Sequence, residues 1–137
     1  MFRDIGVSAQ TTGSDGIYAA IVSTGPGAKS TVHHHRECET AIYILEGQAR
    51  FRYGKGLSQS VEAAAGDFVY IPAHAVHTED NLSDTEPLRV LISRNCPGSV
   101  VVIMDGAEEV LSARLKVGWI SSAEARTPRI NSFQRST

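Results

Sequence analysis

The chain has 137 residues, enough for one domain and too few for a second of ordinary size. Hydrophobic residues make up 42% of it and charged residues 20%, ordinary globular usage that excludes wholesale disorder. Thirteen Lys and Arg against fifteen Asp and Glu leave a net charge of −2, without the positive field that holds nucleic acid or an anionic membrane surface.

The apolar signal has period two and comes in short pieces closed by Gly, Pro, Asn or Asp, which predicts strands rather than helices. In chain order these are 17–23, 30–35, 40–46, 48–53, 60–65, 67–71, 75–80, 88–93 and 100–104. The clearest is Gln48 to Tyr53, where Ala49, Phe51 and Tyr53 share one face and Gln48, Arg50 and Arg52 the other. Arg50 and Arg52 read best as a solvated face, with the mouth of an anion-accepting pocket as the rival reading. Gly54-Lys55-Gly56 supplies a turn, and residues 81–87 form a longer polar loop. Many short strands with regular turn signals predict an all-β antiparallel sandwich or barrel.

Residues 108–116 carry acids first and bases last in good helix formers, which predicts a short helix, and 127–137 read as a flexible tail. No apolar run reaches the roughly 20 residues that span a bilayer, and Met1-Phe2-Arg3-Asp4 lacks the form of a secretory signal. Cys38 and Cys96 are too few for a disulfide framework and form no Cys-x-x-Cys pair, so both are expected as reduced thiols in a cytoplasmic protein. Cys38 reads as a small buried hydrophobe, with a redox or ligand role as the alternative.

All five histidines fall in two clusters, His33-His34-His35 and His74 with His77. On a strand His33 and His35 point the same way with Cβ atoms about 6–7 Å apart, close enough to share one ion, while His34 points to the other face. Gly27, five residues, His33-x-His35, three residues, Glu39 and then Gly47 resembles the first motif of the cupin superfamily. Gly66, five residues, Pro72, then His77 and Asn81 resembles the second.

The resemblance covers about residues 17–104 and implies an antiparallel double-stranded β-helix, or jelly-roll barrel, with one divalent ion inside. The chain is expected to divide into a cupin domain at 1–107 and the helix and tail at 108–137. The metal ligands it implies are His33, His35, Glu39 and His77. Seven residues rather than six separate Glu39 from Gly47, so counting back puts Thr40 at the glutamate position; chemistry favours Glu39, since a hydroxyl is a poor ligand beside three imidazoles. If Glu39 points out, the ion has three histidines and water. Glu37 reads as a solvated acid. His74 replaces a motif glycine and reads as a turn substitution, with a base at the pocket mouth as the rival.

The metal would be Fe, Mn, Ni or Zn. The expected function is a metal-dependent enzyme of dioxygenase or isomerase type acting on a small organic acid, sugar derivative or ring substrate. A non-catalytic ligand-binding or sensing module with a structural metal is the alternative. Expected partners are a small-molecule ligand and, by pairing of N-terminal residues across exposed sheet edges, a second copy of the chain.

Overall fold

The computed structural model describes residues 1–104 and 118–120. The helix expected at 108–116 and the tail at 127–137 lie outside the described residues. The strands are β1 (Phe2–Val7), β2 (Tyr18–Thr24), β3 (His33–His34), β4 (Thr40–Glu46), β5 (Gln48–Tyr53), β6 (Gln59–Ala64), β7 (Phe68–Ile71), β8 (His77–Asn81), β9 (Leu88–Arg94), β10 (Val102–Ile103) and β11 (Gly118–Ile120). Two antiparallel sheets result, one ordered β1-β2-β9-β4-β7-β11 and the other β10-β3-β8-β5-β6. This is the all-β jelly-roll arrangement that the two motifs imply.

The central strands of the larger sheet alternate strictly. Tyr18, Ala20, Val22 and Thr24 of β2, Ile42 and Ile44 of β4, and Leu88, Val90 and Ile92 of β9 are buried. From the opposite sheet Ala49, Phe51 and Ala63 meet them. Burial of these side chains drives the two sheets together, at about 25 cal/mol for each Å² of apolar surface removed from water. The alternation continues past the apolar residues to the ends of the strands. Arg94 stands in register with both Tyr18 and Thr40, so a row of polar side chains faces inward at one end of the sandwich.

Among the elements not expected from the pattern are two at the N-terminal end. Phe2–Val7 pairs with β2 along the edge of the larger sheet, and a one-turn helix, Ala9–Thr12, follows it, capped by Ser8 Oγ accepting from Thr11 N–H. The N-terminal strand therefore pairs with its own chain at β2.

The turns explain the motif residues that carry no chemistry. His74 has φ +62°, the left-handed region that its motif glycine would reach freely, and it is exposed; the turn reading of His74 holds. Asn81 is buried and ties three loops together: Nδ2 faces the carbonyls of Thr24, Gly25 and Glu86 at 2.9–3.2 Å, and Oδ1 accepts from Ser83 N–H at 2.9 Å. Asn81→Ala leaves those groups without their partner, and we expect a loss of about 1–3 kcal/mol in urea unfolding with the m-value unchanged.

Cys38 and Cys96 do not remain thiols; they form a disulfide with Cα atoms 5.9 Å apart. The cause is the β4–β9 register. Thr40 faces Arg94, and the two cysteines lie two residues beyond that pair on either strand. The bridge also removes the argument for a cytoplasmic location that rested on free thiols.

Candidate metal centre

His33 and His77 are paired across β3 and β8, which sets their rings side by side with centroids 4.4 Å apart. His35 follows just beyond β3, its ring 4.9 Å from His33 and 5.2 Å from His77. All three are buried, and their candidate ligand nitrogens lie within 4.8 Å of one another.

Each ring is aimed by a backbone carbonyl. His33 Nδ1 donates to Thr31 O at 2.7 Å, His35 Nδ1 to Val100 O at 2.6 Å and His77 Nδ1 to Ala75 O at 2.8 Å. A carbonyl only accepts, so Nδ1 carries the proton and Nε2 keeps its lone pair in all three. That is how proteins orient imidazoles toward a metal.

Burial works in the same direction. Desolvation lowers the pKa of His33, of His35 to about 3, and of His77 well below the usual histidine value, with the nearby Arg94 guanidinium adding to the effect in each. Neutral imidazole is the form that ligates. Because the unfolded chain protonates these groups near pH 6.5 and the folded chain only below that, the unfolded state binds more protons there. The metal-free fold should lose stability as pH falls below about 6.5, by roughly 1.4 kcal/mol per pH unit for each histidine concerned. Glu79, raised by burial from 4.5 to about 7, acts in the opposite sense between those values, so three histidines outweigh one carboxyl. Denaturation midpoints of metal-free protein measured from pH 7 to 5 check the sign.

Glu39 is not brought to the triad. Strand β4 starts at Thr40 with its side chain fully buried, so the preceding residue faces out and is exposed. Its carboxylate accepts from Tyr70 OH and from Asn95 Nδ2 at 2.9 Å, while its N–H donates to Asn95 Oδ1 at 2.8 Å. Burial and that Glu39 bond together push Tyr70 up to about 12. Thr40 holds the inward position, as counting back from Gly47 suggests, and its Oγ1 accepts from Arg94 Nε at 3.0 Å. His34 lies outside the cluster, its Nδ1 accepting from Arg36 N–H at 3.0 Å.

Two buried charged residues in the cavity escaped the sequence reading. Arg94 is 6% exposed and lies beside the triad, Nη2 3.3 Å from His35 Nε2. Glu79 is 8% exposed and two residues beyond His77 on the same strand. Both had a signal. Arg94 ends an inward series, Leu88, Val90, Ile92, and Glu79 shares the parity of His77. The cavity they line has a volume of about 280 Å³ and also receives Arg3, Lys29 and Ile42.

The site can hold one divalent ion through three neutral imidazoles, with positions left for water or a substrate oxygen. Residues 20–93 match the cupin domain family, and the chain belongs to it. Over 73 residues it is 36% identical to quercetin 2,3-dioxygenase of Bacillus subtilis, covering 53% of this chain and 20% of that one. Protein MJ1618 of Methanocaldococcus jannaschii is 32% identical over 65 residues, 47% of this chain and 49% of its own length. Among solved structures, the formate complex of Lactobacillus farciminis oxalate decarboxylase superposes with a TM-score of 0.66 at 28% identity, over 74% of this chain and 30% of that one. The Bacillus subtilis oxalate decarboxylase structure at pH 4.6 gives 0.66 at 28%, over 74% and 27%. The chain thus spans half or less of the length of these relatives.

Proposed function

We propose that this cupin binds one divalent transition metal, Fe, Mn, Ni or Zn, at His33, His35 and His77 and acts as a metal-dependent enzyme on a small organic molecule. An organic acid, a sugar derivative and a ring substrate are the classes considered, in a dioxygenase or isomerase reaction. The observation that carries this reading is the set of three Nδ1–carbonyl bonds, which turns three buried lone pairs toward one point. The relatives named as a dioxygenase and as decarboxylases support catalysis by this kind of site.

When bound, the ion supplies Lewis-acid or oxygen-activating chemistry. The chain's own residues do the rest. The carbonyls of Thr31, Ala75 and Val100 hold the ligand rings. Glu79 is the group placed to move a proton, since burial raises its pKa to about 7 and its Oε1 has no hydrogen-bond partner among the described residues.

Metal analysis of untagged protein tests the first half. Oxygen uptake and product formation over a panel of small acids, sugars and ring compounds test the second. Metal with turnover supports the enzyme; metal without turnover but with a ligand-induced thermal shift supports the binding module instead. For the proposed homodimer, the outer face of the larger sheet exposes Phe68, Tyr70 and Leu91, and light scattering should give twice the chain mass. No helix among the described residues is long and apolar enough to cross a membrane.

A further inference from the structure

Arg94 is a buried cation with part of its hydrogen-bonding capacity unused. Its Nε is held by Thr40 Oγ1 and its guanidinium carbon lies 5.6 Å from the Tyr18 ring centroid, so the group is positioned from two sides. Nη1 is buried with no hydrogen-bond partner among the described residues. Among the described residues Nη2 faces only the Nε2 lone pair of His35, at 3.3 Å. Glu79 is the acid among the residues lining the cavity, yet among the described residues no ion pair joins it to Arg94.

An ion held by the triad takes the His35 lone pair for itself. Nη2 is then released beside Nη1, and the guanidinium presents its two-pronged end to the cavity. That fork fits a carboxylate bidentately. Charge favours the same occupant, because a dication and a guanidinium share one low-dielectric cavity, Glu39 is turned away from both, and Glu79, the carboxyl in that cavity, forms no ion pair with Arg94 among the described residues.

Resting on the metal reading above, we infer that Arg94 is a specificity-determining residue for a compact carboxylate, which bridges the guanidinium and the ion and supplies the negative ligand that Glu39 does not. The substrate class is thereby narrowed from small organic molecules to small organic anions, of a size the cavity of about 280 Å³ admits. Arg94 contacts the substrate, and the residues that aim it are Thr40 and Tyr18.

The test uses Mn(II), malonate and its neutral isostere malonamide. Equilibrium dialysis first measures Mn(II) uptake without malonate; calorimetry of the Mn(II)-loaded protein then measures malonate binding. Wild type should bind malonate and not malonamide. Arg94→Gln should weaken malonate binding about 30-fold or more while retaining Mn(II), the loss seen when one member of a buried charge pair is removed. Thr40→Glu places a carboxylate beside Arg94 and should bind Mn(II) more tightly than wild type without malonate and lose malonate binding, which keeps the proposal testable should Arg94→Gln fail to fold. Equal malonate affinity in wild type and Arg94→Gln, or equal binding of malonate and malonamide, overturns the bridge alone. Absence of Mn(II), Fe(II), Ni(II) and Zn(II) uptake by wild type overturns the metal reading and the bridge with it.

Discussion

His77→Ala should abolish stoichiometric metal uptake and remove the thermal stabilisation that metal confers. His77 is the one member of the triad contributed by β8, and the ring is 1% exposed, so no surface histidine can substitute for it. An ion bound only by the folded chain adds RT ln(1 + [M]/Kd), about 4 kcal/mol at a thousandfold excess over Kd, and the variant forfeits that gain. It also leaves a cavity and an unanswered Ala75 carbonyl. His34→Ala provides the contrast, since that ring is not part of the cluster, and it should keep full metal content. Metal content by mass spectrometry and melting curves with and without metal read both effects. Equal metal loss in the two variants would contradict the assignment of ligands.

Gly47→Ala should cost roughly 2–5 kcal/mol, from backbone strain and a collision together. Gly47 turns β4 into β5 with φ +89°, and a Cβ there would sit 2.6 Å from Pro87 O and 3.2 Å from Leu88 Cα. Both obstacles are backbone that cannot swing aside without disturbing β9. Gly56 also has positive φ, +62°, but a Cβ there meets nothing within 4 Å, so Gly56→Ala should cost only about 1 kcal/mol. Urea unfolding of the pair separates strain from collision. A loss below 1 kcal/mol for Gly47→Ala would mean the turn has more freedom than this geometry allows.

Strands buried on one face declare themselves by their period of two. Thr40–Glu46 and Gln48–Tyr53 agree residue for residue with the expected 40–46 and 48–53. Strand β1 does not follow that pattern, because an edge strand mostly exposed on both faces has no apolar alternation to read. The three histidines were legible from their clustering and from the cupin motifs, and the family match at 20–93 agrees with that resemblance. For the carboxylate, ligand chemistry favours Glu39 while the spacing to Gly47 favours Thr40, and the spacing is what the fold follows. Parity in β4 puts Thr40 inside, and Glu39 found Tyr70 and Asn95 on the outer side. The Cys38–Cys96 bridge was invisible in composition, since it depends on a β4–β9 register between residues far apart in the chain. Arg94 was legible only as an exception, a charge at the inward end of an apolar series, and its meaning required its neighbours from other strands.

The most direct test of the central claim is a crystal structure of metal-loaded protein with anomalous data collected at the metal edge. A single strong peak is expected inside the sandwich, about 2.0–2.3 Å from Nε2 of His33, His35 and His77, with Glu39 still bound to Tyr70 and Asn95. A peak at His34 or His74 on the surface, or three triad rings in metal-loaded crystals with no peak between them, would contradict it.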